Sequence, residues 1–286
     1  MAPTYNTPYS TTSEMLAQVA EIAEQVGRLS AMRGKVAGLR HRSNRTRAVH
    51  ATLAIEGNRL SPDQVTAILD GKRVLASPRE VQEVRNALLA YDRFTGWMPH
   101  REQDLLEAHR TLMAALVDAP GCYRAGGVGV MAGDMVVHMA PPAHRVPSLM
   151  ADLLSWLERV QDHPLITSSV FHYELEFIHP FADGNGRIGR LWQTLILSRW
   201  RALFADLPVE TLVHAHQDAY YQAIADSTEA ASATPFILFM LTMIRAALDE
   251  LEATGADSDG ADRSDAIAGP RSNCQPNPGP NKTPNK

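Results

Sequence analysis

Apolar residues open the chain at Met15, Val19, Ile22, Val26 and Leu29, spaced 4, 3, 4 and 3. That period puts them on one stripe of an amphipathic helix. Two heptads are too few for a coiled coil, so the stripe reads as packing on the body, with a dimer contact as the lesser use. A second, short helix covers 44–56 and stops at Gly57, the residue type expected just past a helix C-terminus. Ser61-Pro62-Asp63 opens the next, with Ser61 as cap and Pro62 in the first turn, and Asp70-Gly71 closes it. Ser77-Pro78-Arg79-Glu80 repeats the start signal, with Glu80 three residues after the cap. That helix runs to about Phe94, and another spans about 102–117.

The pattern then changes. Gly121, Gly126, Gly127, Gly129 and Gly133 crowd together, and Val128–Met131 and Met135–His138 flank Ala132-Gly133-Asp134. Two β-prone runs about a glycine turn predict a hairpin, ended by Pro141-Pro142. Helical periods resume at about 147–161, 166–178, 188–200, 208–228 and 234–252. Residues 256–286 hold five prolines and a single large aliphatic, Ile267, too little apolar surface to order themselves. The first twelve residues are polar and read as disordered. The fold class is all-α, a helical bundle bearing one hairpin.

Composition changes this picture little. Of 286 residues, 45% are hydrophobic and 21% charged, which is ordinary globular usage. No apolar run approaches a membrane span, and the start lacks the apolar core of a secretory signal. Two cysteines, Cys122 and Cys274, argue against a disulfide scaffold and for a reducing, cytoplasmic setting. The net charge of −5 argues against nucleic acid as the main partner. The local basic stretch from Arg28 to Arg47 reads as a solvated face.

The chemistry gathers between the helices at 166–178 and 188–200, in His179-Pro180-Phe181-Ala182-Asp183-Gly184-Asn185-Gly186-Arg187-Ile188-Gly189-Arg190. A Gly184-Asn185-Gly186 turn entering a helix presents backbone N–H groups and the positive helix end, an anion nest. Its glycines let phosphate oxygens approach the backbone. Arg187 and Arg190 share one helix face and suit bidentate phosphate contacts. As cations in a first turn they oppose the macrodipole, a cost that a bound polyphosphate would offset. Asp183 can hold a Mg²⁺ that bridges phosphates. His179 can take a proton from an attacking hydroxyl. Pro180 stops the preceding helix, and Phe181 should point inward. His172, Glu176 and His179 share a helix face, but without an HExxH arrangement His172 and Glu176 read as orienting or packing residues. His138 and His144, by the hairpin, read as structural or target-contacting.

This segment resembles the Fic family, whose motif HxFx[DE]GNGRxxR is matched at His179, Phe181, Asp183, Gly184, Asn185, Gly186, Arg187 and Arg190. Gly121-Cys122-Tyr123-Arg124, Pro141-Pro142 and His172-Tyr173-Glu174 extend the resemblance over about 44–250. It implies a protein adenylyltransferase that transfers AMP from ATP, with Mg²⁺, to a Ser, Thr or Tyr hydroxyl of a target protein. His179 is then the general base and Asp183 the metal ligand. Gly184, Asn185 and Gly186 cradle the α- and β-phosphates, Arg187 reaches the β-phosphate and Arg190 the γ-phosphate. The hairpin resembles the family's flap, on which Val136, Val137 and His138 would dock the target as an added strand. Tyr220 and Tyr221 resemble a pair lining the adenine pocket, with helix packing an equal reading for Tyr220.

Thr52-Leu53-Ala54-Ile55-Glu56-Gly57-Asn58 has the form [ST]xxxE[GN], which in Fic proteins marks an inhibitory helix. Glu56 stands at the helix end that disfavours a carboxylate, and Thr52 shares its face. The resemblance pairs Glu56 with Arg190, occupying the γ-phosphate clamp. The expected organisation is a disordered 1–12, an N-terminal helical region 13–100 including the inhibitory helix at about 44–57, a catalytic core 101–255 and a disordered tail 256–286. Removal of AMP, both directions together, and a non-catalytic nucleotide-binding regulator are the alternative readings. Self-modification and a homodimer are further expectations.

Overall fold

The opening stripe behaves as its spacing requires. In the computed structural model, which describes residues 7–32, 37–127, 129–132 and 135–265, Ser13–Met32 form α1. Met15, Val19, Ile22, Val26 and Leu29 are all buried within this one chain. Gln25 donates to Asp249 at 2.7 Å, and Glu21 pairs with Arg245 at 3.1 Å. The seam is therefore used on the body of its own chain.

The expected disorder of the first twelve residues is corrected from residue 7 onward. Thr7 is buried, the Pro8 carbonyl accepts from Ala233 N–H at 2.7 Å, and the Tyr9 hydroxyl donates to Asp162. Polar composition concealed this, because the segment is held by hydrogen bonds rather than by apolar burial. Residues 1–6 lie outside the described residues.

Local chemistry explains the next boundaries. Helix α2, Ala37–Ile55, ends where Gly57 takes φ 86°, a left-handed value that glycine reaches without strain. Helices α3, Pro62–Leu69, and α4, Pro78–Arg93, each start with a complete capping box, Ser61 with Gln64 and Ser77 with Glu80. Helix α5 is Glu102–Leu112. The hairpin follows as β1, Gly129–Ala132, and β2, Met135–Met139, antiparallel. Its register pairs Val130 with His138 and Met131 with Val136, so Val137 is an extra, bulged residue. Gly133 and Asp134 of the expected turn lie outside the described residues.

The core is centred on α7, Pro164–Ile178, and α8, Asn185–Trp200, with α6, Val146–Arg159, against α7. Nearly every residue of α7 is buried, from Leu165 to Ile178, as its apolar character on all sides demands. It starts two residues before its apolar period, because the His163 ring accepts from Leu165 N–H at 3.2 Å and Pro164 supplies the first turn. The two helices meet closely at Gly189, where a Cβ would stand 2.6 Å from the His172 ring. Helix α2 packs on α4 and on α9, Val209–Ala215. The expected helix at 208–228 is two, α9 and α10, Gln217–Glu229, with the break at His216, whose ring engages the Leu212 carbonyl at 3.0 Å.

The last helix, α11, is Thr234–Asp265. It runs past residue 255, so the start of the expected disordered tail is helix. Every proline of that tail lies at Pro270 or beyond, so none interrupts the hydrogen-bond ladder between residues 256 and 265. Residues 266–286, with Cys274, lie outside the described residues. Cys122 is free and exposed. Among the described residues no helix is long and apolar enough to cross a membrane.

Candidate active site

The loop between α7 and α8 is held from several sides. His179 closes α7 in the left-handed region, φ 50° and ψ 60°, with its N–H on the Leu175 carbonyl at 2.8 Å. A non-glycine residue keeps that conformation only where its surroundings enforce it. Arg124 does so. Its Nε donates to the His179 carbonyl at 2.7 Å, and its two Nη groups reach Gly126, Pro141 and Ile178 carbonyls at 2.7, 2.5 and 3.3 Å. One buried guanidinium thus ties both legs of the hairpin to the end of α7. Asn185 braces the loop from the other side, accepting from Phe181 N–H and donating to the Phe181 carbonyl, both at 2.9 Å.

Phe181 points inward as expected and stacks on His109, centroids 3.8 Å apart and planes 5° from parallel. Gly121 N–H donates to His109 Nδ1 at 2.8 Å, which leaves Nε2 to carry the proton and donate to the Asp183 carbonyl at 2.9 Å. Burial pushes the His109 pKa down to about 4, so the ring is neutral, as this bonding pattern needs.

Gly184 begins α8 with φ 90°, and a Cβ there would lie 2.7 Å from the Met113 sulfur, so both backbone and space require glycine. The first N–H groups of α8 have no intrahelical acceptor and face outward beside Gly186. Arg187, expected to reach the β-phosphate, is buried and donates to Asp183 Oδ1 at 2.7 Å, with Glu83 at 3.9 Å. Its Nε is buried with no partner, and so is His179 Nδ1. A buried polar atom without a partner calls for an explanation, and a bound ligand is one that fits. Arg79, on α4, reaches Asp183 Oδ2 at 3.4 Å.

Arg190 is only 3% exposed. Its Nε donates to Thr52 Oγ1 at 2.8 Å, and one Nη reaches the Thr52 carbonyl at 3.1 Å and Glu56 Oε1 at 2.6 Å. Burial is the largest influence and works against its charge, but Glu56, Tyr220 and Glu176 together outweigh it and hold the guanidinium above its ordinary range. The Glu56 oxygen also overhangs the cradle, since a Cβ on Gly186 would meet it at 2.6 Å. An anion of the chain itself thus stands over the anion nest.

The fold brings His179, Asp183, Gly184, Asn185, Gly186, Arg187, Arg190, Thr52 and Glu56 together. Asn185 uses its side chain on the loop, so only its backbone is free for a ligand. Tyr220 is buried, its hydroxyl 3.1 Å from His172 Nε2, while the half-buried Tyr221 ring lies 5.3 Å from it. His172 also bonds Gln193 at 2.6 Å, which makes it the orienting, packing residue its position suggested. Val136, Val137 and His138 lie on β2. Sequence reasoning passed over His109, Met113, Arg79, Glu83 and the role of Arg124. Arg124 stood in a segment already quoted for the resemblance. The others have no local signal, because their partners are far away in the chain.

A family model described as the Fic/DOC family matches residues 99–197. A crystal structure of a Fic family protein from Desulfovibrio desulfuricans G20 is similar at 54% identity and a TM-score of 0.84, covering 88% of this chain and 78% of that one. The protein adenylyltransferase fic-1 of Caenorhabditis briggsae is 32% identical over 193 residues, 62% of this chain and 36% of its own length. The protein adenylyltransferase Fic of Culex quinquefasciatus is 28% identical over 212 residues, 70% of this chain and 40% of its own. The chain thus spans well under half the length of these two curated relatives.

Proposed function

This chain belongs to the Fic family, and from that premise we propose that it is a protein adenylyltransferase restrained by its own Glu56. The observation that carries the reading is the Glu56 carboxylate, held on Arg190 at 2.6 Å and standing over Gly186 at the N-terminus of α8. The substrate is ATP. The α8 N-terminus and Gly186 receive its α- and β-phosphates, Arg187 the β-phosphate and Arg190 the γ-phosphate. The half-buried Tyr221 lies against the adenine, with the buried Tyr220 supporting it. Asp183 fits Mg²⁺, which takes one or two carboxylates and completes its shell with phosphates and water. Among the described residues there is no cluster of three or more metal-ligating side chains, and this mode needs none. When bound, the ion neutralises charge on the phosphates.

His179 takes the proton of a target Ser, Thr or Tyr hydroxyl. The hydroxyl oxygen bonds to the α-phosphorus, the bond from that phosphorus to the β-phosphate oxygen breaks, and pyrophosphate leaves. The hairpin residues Val136, Val137 and His138 align the target as an added strand. Self-modification falls on exposed hydroxyls near the N-terminus, such as Ser10 and Thr11. Glu56 restrains the reaction by holding Arg190 at 2.6 Å, away from the γ-phosphate. A phosphate chain displaced by ~1 Å loses about a hundredfold in rate.

The test is transfer of label from α-labelled ATP with Mg²⁺ by wild type, Glu56→Gly, and Glu56→Gly with His179→Ala. Glu56→Gly should exceed wild type by ~10- to 100-fold, and the double variant should return to background. No label in Glu56→Gly that still binds ATP overturns the reading. A second reading, removal of AMP, is favoured by the Glu56 oxygen over Gly186, where a carboxylate can orient water. It calls for the opposite result on an AMP-modified protein, release that is lost in Glu56→Gly.

A further inference from the structure

Both oxygens of Asp183 are taken by guanidinium groups. Oδ1 accepts from Arg187 at 2.7 Å and Oδ2 from Arg79 at 3.4 Å. The two arginines are held differently. The Arg187 side chain is 4% exposed and cannot leave without exposing the core around it. The Arg79 side chain is 57% exposed and stands in the first turn of α4. A cation there is disfavoured by the helix dipole, so acceptors hold Arg79 rather than its helix. Besides Asp183 it has the Leu116 carbonyl at 3.3 Å and, one turn along α4, Glu83 Oε1 at 3.3 Å from its Nε.

Mg²⁺ bonds carboxylate oxygen at ~2.1 Å. A dication on Oδ2 and a guanidinium on the same oxygen exclude one another by charge and by space. We infer that Arg79 is a displaceable stand-in for the metal: it neutralises Asp183 in the metal-free protein and, when the ion arrives, releases Asp183 and keeps its contact with Glu83. Glu83 makes the exchange inexpensive, because the guanidinium is already on Glu83 at 3.3 Å and lets go of Asp183 without being left unpaired. Glu83 is itself held in place, since Asn58 Nδ2 donates to its Oε2 at 2.9 Å. Arg79 therefore sets how much metal the site needs, not the chemistry it performs. The inference rests on the metal role proposed for Asp183.

The competition is between partly exposed groups, so its removal should tighten metal binding about two- to fivefold. The experiment titrates Mn²⁺ into the full chain with a non-hydrolysable α,β-methylene ATP, reading free Mn²⁺ by electron paramagnetic resonance. The proteins are wild type, Arg79→Gln, Arg79→Lys and Asp183→Asn. Arg79→Gln should bind Mn²⁺ two- to fivefold more tightly than wild type, and Arg79→Lys, which keeps the charge, should stay nearer to wild type. Asp183→Asn should bind more weakly. If Asp183→Asn weakens binding while Arg79→Gln is unchanged or weaker, the stand-in role is overturned and the metal role of Asp183 survives. If Asp183→Asn binds as wild type does, both fall together.

Discussion

His109 makes no contact with any substrate in the proposed reaction, yet it fixes the loop that performs it. It is stacked on Phe181 and bonded to the Asp183 carbonyl and to Gly121 N–H, and the bond from Gly121 requires an unprotonated Nδ1. Its pKa of about 4 lies below the ordinary 6.5 that the unfolded chain shows. Between those values the unfolded state binds more protons, so stability is complete above 6.5 and falls as the pH drops toward 4. The shift corresponds to a loss of about 2 kcal/mol between pH 7 and pH 5. Chemical denaturation at the two pH values should show that loss in wild type. His109→Gln, which does not titrate, should show a smaller fall by that amount. Equal falls in both proteins would remove His109 from the account.

The segment proposed as inhibitory is held at both of its ends. Thr52, one turn before Glu56, accepts from Arg190 Nε at 2.8 Å. Beyond Gly57, Asn58 Nδ2 donates to the Glu80 carbonyl at 3.2 Å and to Glu83 at 2.9 Å, and Asn58 Oδ1 accepts from Leu60 N–H at 3.1 Å. The helix end that carries Glu56 is therefore pinned to α4. Asn58→Ala should cost ~1–3 kcal/mol, because it leaves buried partners unmatched. It should also raise AMP transfer several-fold by loosening Glu56. In the Glu56→Gly background the same substitution should leave transfer unchanged, which separates loosening of the brake from damage to the site. Gly57 belongs to the same device, since its φ of 86° turns the chain sharply after the acid.

For the molecule as a whole, the long-range contacts of α1 carry a prediction. Ile22 is fully buried within a single chain, so truncating it should act on folding and not on association. Ile22→Ala should lower the unfolding free energy by ~2–5 kcal/mol, read from denaturant curves. An unchanged midpoint would mean that the seam faces solvent or another copy instead. The buried pair of α7 and α8 has the same character. Gly189 lets the helices approach to a distance at which a Cβ would strike His172, and this contact sets the spacing of the loop between them.

Much of this was legible in the chain read alone. The stripe of α1, the caps at Ser61 and Ser77, the hairpin and the loop from His179 to Arg190 all rest on interactions within a few residues, and those leave a period or a signature behind. Glu56 was legible for the same reason, as an acid at the wrong end of a helix. Folding was needed to show that Arg190 reaches it at 2.6 Å across 134 positions, and that Arg187 is engaged by Asp183. His109, Arg79 and Glu83 became visible only through partners 74, 104 and 25 positions away. The helix past residue 255 and the docking of residues 7–12 were hidden by composition, which averages over a segment and is blind to where its prolines lie or which carbonyl meets which N–H. Local order follows from neighbouring side chains, while the charge state and the pairing of a buried group follow from whatever the fold sets against it.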